Sequence, residues 1–178
     1  MGSFSAIVMS FTLRPDLDDD VLSAFSGVTL VESNGARNRE RPQLPQPHEQ
    51  GISESVFYDA LGTGQLPEGF EPWRYNWKWV LSGGHGASYI DGTTGGTIEW
   101  THLGWHVSFR AIAKSAPDEL TYWFGWMGEF AVESSEETPL LVGYFKHEYE
   151  PRPWLIWHAG SGPFTFEDLN GPRDRFVY

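Results

Sequence analysis

Residues 98–114 have the sequence IEWTHLGWHVSFRAIAK, in which apolar residues occupy every second position from Leu103 onward. In a β-strand, alternate side chains point to opposite faces. The spacing therefore predicts a strand over 98–114 with one apolar and one polar face. The apolar face would hold Leu103, Trp105, Val107, Phe109 and Ala111, and the polar face would hold His102, His106, Ser108 and Arg110.

The polar face of this strand carries the first candidates for chemistry. His102 and His106 would share it, but four residues of strand separate their backbones by about 13 Å. A zinc ion needs ligand nitrogens about 2 Å away, so we predict no metal site, and no sequence motif indicates a cofactor. His102, His106 and Arg110 are the candidate catalytic residues of this segment, with Glu148 as a carboxylate from a later strand.

Two segments before this strand have a clear periodicity. Residues 3–13 alternate like a strand, and because both sets of side chains are mainly apolar or small, we expect it to be mostly buried on both faces. After Pro15, apolar residues recur at the spacing of an amphipathic helix, and acidic residues occupy the start of that helix, where its dipole favours anions. Gly27 is a plausible end of the helix.

A second helix is predicted over 115–130, because Ser115 can cap it and an apolar stripe follows. Gly125 and Gly128 weaken this prediction, and a strand over 122–132 stays open. Residues 74–82, 139–150 and 154–159 are predicted strands, 33–50 a proline-containing surface loop, and the role of 51–72 stays undecided.

These elements predict a single α+β domain over 1–178, with an antiparallel β-sheet and two helices packed on one face. Two topologies are open. One is ferredoxin-like, and the other is built from duplicated strand–helix units, with 3–30 matching 101–130 at identical residues such as Ser10 and Ser108.

Composition restricts the environment and the partners. The chain has no cysteine, which fits a reducing cytoplasm and excludes disulfides and thiolate chemistry. Its formal charge of −12 repels nucleic-acid backbones, so we expect no nucleic-acid partner. No run of residues reaches the roughly 18–20 apolar positions of a membrane span. We expect a cytoplasmic protein with no membrane partner.

Nine tryptophans exceed what one small core needs. Trp73 and Trp100 lie near predicted strand ends and are the candidate binding residues, because exposed tryptophans often anchor interfaces. Together with the acidic charge, they favour a non-catalytic module that binds a protein partner or forms a homo-oligomer. The alternative is a small-molecule-binding protein or enzyme that uses the polar face of the 98–114 strand.

The start of the chain also carries a family resemblance. Residues 7–16, with the sequence IVMSFTLRPD, resemble the start of small uncharacterised bacterial proteins, as do Gly143-Tyr144, Glu148 and the later segment PWLI at 153–156. The resemblance implies a bacterial cytoplasmic α+β domain and no particular activity.

Overall fold

The computed structural model describes residues 4–28, 71, 73, 95–113, 120–121 and 124–171. The elements whose bounds lie within these ranges are six strands, one α-helix and one 3-10 helix. In chain order they are β1 (Ser5–Thr12), α1 (Asp19–Val28), β2 (Gly95–Thr101), β3 (Gly104–Ala113), the 3-10 helix (Trp126–Phe130), β4 (Leu140–His147), β5 (Trp154–His158) and β6 (Thr165–Asp168).

The six strands form one sheet in the order β2-β3-β1-β4-β5-β6, and every neighbouring pair is antiparallel. The prediction of an antiparallel sheet is confirmed. The strand from the start of the chain lies inside the sheet, because β1 pairs with β3 on one side and with β4 on the other.

One face of this sheet holds the hydrophobic core. Ile7 and Met9 of β1 are fully buried beside Val107 and Phe109 of β3, as their alternation predicts. The predicted first helix is present as α1, and its Phe25 packs on this same face. The residues between these core positions, such as Ser10 and His106, lie on the opposite face, which we call the open face.

The prediction of two helices packed on the sheet is wrong. The structure gives one complete α-helix, α1. In the predicted second helix, Leu120, Thr121, Phe124 and Gly125 are helical, and the segment then tightens into the 3-10 helix. The reason lies at Gly128, where a Cβ would collide with the backbone of residues 162–164. The amide of Phe164 also donates to the carbonyl of Gly125. Close packing of a later segment thus overrides the helical periodicity. The predicted ferredoxin-like topology is also wrong, because it requires two helices packed on the sheet.

The prediction of one continuous strand over 98–114 is also wrong. The segment is a hairpin of β2 and β3, with His102 and Leu103 in the turn between Thr101 and Gly104. The Thr101 hydroxyl donates to the Gly104 carbonyl at 2.8 Å. Gly104 closes the turn at φ 129°, a conformation that favours glycine. Leu103 is consequently 56% exposed rather than in the core.

Several other predictions fall outside the described residues or are not tested by the structure. The loop at 33–50, the strand at 74–82 and nearly all of 51–72 lie outside the described residues. The single domain and the internal duplication of 3–30 and 101–130 stay predictions. In the described ranges, no helix has the length and apolar character needed to cross a bilayer. Strand β6 was not predicted from the sequence.

Candidate functional site

A polar surface covers the part of the open face formed by β1 and β3. We call it the polar tract, and it consists of Ser10, Thr12, His106, Ser108 and Arg110. The register places Ser10 directly opposite Ser108 and Thr12 directly opposite His106. Three of the candidates named from the sequence, His106, Ser108 and Arg110, therefore do share a face, together with two hydroxyl groups that come from β1.

His106 is held between two hydroxyl groups. Its Nε2 lies 3.0 Å from Ser10 Oγ, and its Nδ1 lies 3.1 Å from Thr12 Oγ1. A neutral imidazole has one donor and one acceptor nitrogen. In that state, one hydroxyl accepts a hydrogen bond from the ring and the other donates one to it. Both bonds orient the ring, as a second partner commonly does for functional histidines.

Two charged residues flank the pair formed by Ser10 and His106. Glu99 of β2 lies directly opposite His106, where cross-strand side chains are about 5 Å apart at Cβ. Arg110 is exposed and lies two residues beyond Ser108, which makes it a diagonal neighbour of Ser10. Long side chains reach such diagonal neighbours. The polar tract thus combines an imidazole, hydroxyls and a guanidinium on one surface, with Glu99 of the neighbouring strand β2 beside it.

The structure does not bring the other two catalytic candidates to this tract. His102 is exposed in the hairpin turn instead of the strand. Glu148 binds the start of β1, since its amide donates to the Phe4 carbonyl at 2.9 Å and its Oε1 accepts from the Phe4 amide at 3.1 Å. His106 pairs with the opposite end of β1, at Thr12. Eight residues of strand separate these ends by about 26 Å.

The two candidate binding tryptophans both contact the core. Trp73 is half-buried and packs against the core residues. Trp100 is 36% exposed, and its ring meets that of buried Trp105 edge-on, with centroids 5.3 Å apart. Each ring thus has part of its surface covered by the protein itself.

A second surface of the open face was missed by the sequence reasoning. It is apolar, crosses β1, β4 and β5, and consists of Val8, Leu141, Tyr144, Leu155 and Trp157, which we call the apolar stripe. The register aligns Val8, Tyr144 and Leu155 in one row and pairs Leu141 with Trp157. Leu141 is 55% exposed and Tyr144 43%.

A bulge in β4 explains why the apolar stripe could not be predicted from the alternation of the sequence. The pairing of β4 with β5 shifts between Leu141 and Gly143, so the simple alternation of the strand breaks there. Gly143 lies so close to the backbone of Val8 and Met9 that a Cβ would collide with it. The run of apolar residues at 140–142 therefore contributes both to the core, through Val142, and to the surface.

One histidine lies on the core side of the sheet. His158 of β5 is 1% exposed, with the ring of Phe164 edge-on at 5.4 Å. Burial lowers the pKa of His158 below its ordinary value of 6.5, and the carbonyls of Gly128 and Gly162 oppose this only in part. His158 is therefore held neutral, and its Nε2 makes no well-aligned hydrogen bond.

In the parts of the chain that the structure describes, no three metal-ligating side chains gather. Comparison with known proteins gives no further indication. The sequence matches no protein-family model, and neither curated proteins nor solved structures show a significant similarity to it. The resemblance of residues 7–16 to small bacterial proteins thus stays a prediction.

Proposed function

We propose that this protein is a binding module that docks a basic protein partner through the apolar stripe. The observation that supports this most is the exposure of Leu141 and Tyr144, at 55% and 43%, beside the half-buried Leu155 and Trp157. Contiguous exposed apolar surface marks interaction sites, and tyrosine and tryptophan are the side chains that most often anchor them.

Charge argues for a basic partner. The chain carries a formal charge of −12, which attracts cationic proteins and speeds their encounter. An acidic residue also borders the stripe, since Glu167 of β6 lies opposite Leu155 and its Oε2 accepts from Trp157 Nε1 at 2.9 Å. This bond fixes the Trp157 ring, and a fixed aromatic ring loses less conformational entropy when a partner binds. We place this encounter in the cytoplasm, which the cysteine-free composition favours.

The test compares two exposed residues of the sheet. Tyr144→Ser removes an aromatic anchor from the stripe, and Leu103→Ser changes an equally accessible side chain in the hairpin turn, outside the stripe. Partners are first captured from a lysate of the native host at low salt with immobilised wild-type protein, and then purified. The binding of each purified partner to the three proteins is measured by calorimetry.

We expect Tyr144→Ser to weaken binding by about 30-fold or more, because loss of an interface anchor costs about 2 kcal/mol or more. Leu103→Ser should bind like the wild type, and added salt should weaken all three complexes. Equal affinities of the two variants would refute the proposal, as would failure to capture any protein in a Tyr144-dependent way.

A second copy of the chain is the other possible occupant of the stripe. Sedimentation velocity of the wild type and of Tyr144→Ser distinguishes it. A wild-type dimer that becomes a monomer on this substitution would assign the stripe to self-association and overturn the proposal of a basic partner. A monomer in both cases is the expected result.

A further inference from the structure

The polar tract contains a serine, a histidine and an arginine in an arrangement suited to nucleophilic chemistry. We propose that Ser10 is a nucleophile that reacts with small activated carboxylic esters, with His106 as its base. This inference is independent of the docking proposal, since Ser10, His106 and Arg110 do not belong to the apolar stripe. It rests on the hydrogen bonds of His106 and on the register of Ser10 and Arg110.

The contact between Ser10 and His106 meets the geometric requirement for a base. The distance of 3.0 Å from Oγ to Nε2 is a hydrogen bond, and Ser10 is exposed, so an ester can approach its oxygen. A nucleophilic hydroxyl needs an adjacent base, and that base needs a third group to orient it. Thr12 supplies the third group through its bond of 3.1 Å to Nδ1.

The hydroxyl of Thr12 can pair with the tautomer that the reaction needs. When Nδ1 carries the proton and donates it to Thr12 Oγ1, Nε2 is free to accept the proton of Ser10. Thr12 is therefore a positioning residue, since it contacts the imidazole and not the ester. Glu99 lies on β2 directly opposite His106, on the side of the imidazole away from Ser10.

Arg110 can stabilise the charge that develops on the ester. Ser10 lies opposite Ser108, so His106 and Arg110 are its two diagonal neighbours on β3. The imidazole already reaches Ser10 across one diagonal, and the longer arginine side chain can span the other. A guanidinium beside the carbonyl would stabilise the oxyanion of the tetrahedral intermediate.

The reaction proceeds in two balanced steps. Ser10 Oγ forms a bond to the carbonyl carbon while its proton passes to His106 Nε2, and the bond from that carbon to the leaving oxygen then breaks. The proton moves to the departing alcohol. Water next attacks the acyl-serine with the help of the same imidazole, releasing the carboxylic acid and restoring the Ser10 hydroxyl, so that one ester and one water give one acid and one alcohol.

The experiment uses p-nitrophenyl acetate as the probe, with the released p-nitrophenolate followed by absorbance and the acetylated peptide identified by mass spectrometry. We expect a burst that approaches one equivalent per chain, with the acetyl group on Ser10. Ser161→Ala is the matched control, because Ser161 is an exposed serine in the turn after β5, outside the polar tract. Its burst should equal that of the wild type.

Variants then assign the roles. Ser10→Ala should lose the burst, and His106→Gln should slow acetylation by about 10²- to 10⁴-fold, the usual contribution of a positioned base. Arg110→Ala should slow it by roughly 10²-fold, near the lower value for loss of an oxyanion donor. Thr12→Val should slow it while Thr12→Ser restores it, which a purely structural role of Thr12 would not produce.

Three outcomes would overturn the proposal. They are acetylation of Ser10 no faster than that of Ser108, an unchanged burst in Ser10→Ala, and transfer of the acetyl group to His106 or a lysine alone. Circular dichroism spectra and melting temperatures of the variants show whether they are folded. If Ser10→Ala is not folded, Ser10→Thr replaces it and should react more slowly than the wild type, because its hydroxyl is more hindered.

Discussion

Phe25 joins α1 to the sheet, and its truncation offers a direct test of the core. The side chain is fully buried and contacts three aromatic rings, with centroid distances of 5.9 Å to Phe11, 5.6 Å to Trp126 and 6.2 Å to Phe130. Two of these rings belong to the 3-10 helix. Phe25→Ala therefore weakens the junction of three elements at once.

The expected cost follows from these contacts. Truncation of a buried phenylalanine to alanine lowers the free energy of unfolding by about 3–5 kcal/mol, and each lost aromatic contact contributes about 0.5–1.5 kcal/mol beyond area burial. We expect a loss of about 4 kcal/mol for Phe25→Ala. This is a large share of the roughly 5–15 kcal/mol that stabilises a typical domain.

Urea unfolding followed by tryptophan fluorescence measures this loss. Leu103→Ala is the control, since a side chain that is 56% exposed in a turn should change stability by no more than about 0.5 kcal/mol. A loss below about 1.5 kcal/mol for Phe25→Ala, with an unchanged denaturant slope, would refute the packing of α1 against the 3-10 helix.

Two further predictions concern the backbone and the buried imidazole. Gly104→Ala should lower stability by about 1–3 kcal/mol in thermal unfolding, because a Cβ at φ 129° would meet the Leu13 carbonyl. The pKa of His158 is lowered by burial in the folded state. Its contribution to stability is therefore complete above pH 6.5 and is lost as the pH falls from 6.5 toward the lower folded pKa. Urea titrations at several pH values between 5 and 8 should show this loss.

Matched variants give the controls for the Gly104 and His158 predictions. Gly162→Ala should change the melting temperature little, because an added Cβ there meets nothing within 4 Å; an equal loss in both glycine variants would contradict the special role of Gly104. The difference in unfolding free energy between the wild type and His158→Gln separates the contribution of His158 from those of the other titrating groups. A difference that does not vary with pH would contradict the buried, neutral imidazole.

Alternation predicted the middle of the sheet well, for a physical reason. Strands β1 and β3 bury one face against the core and leave the other partly exposed, and a period of two is the signature of that environment. The hairpin turn was missed although the sequence carries a sign of it. The buried Ile98 occupies an even position, whereas Trp105 and Val107 occupy odd ones, and this change of phase marks the turn at His102 and Leu103.

The change from α-helix to 3-10 helix before residue 130 could not be predicted from the sequence, because its cause is tertiary packing. The aromatic spacing before residue 130 is helical, and nothing local shows that residues 162–164 pack against Gly128. The polar tract could likewise be predicted only in part, because it depends on long-range strand pairing. His106 and Arg110 were found from their own strand, but the Ser10 and Thr12 hydroxyls come from a strand about ninety residues earlier, and only the pairing of β1 with β3 brings them together.

The central position of β1 affects how the chain folds during its synthesis. Residues 5–12 leave the ribosome well before their partners, which are residues 106–113 on one side and 143–147 on the other. At about 5–20 residues per second, the apolar strand waits several seconds for its first neighbour and longer for its second. Such distant pairing slows folding, and during this interval the apolar side chains of the strand are exposed to aggregation.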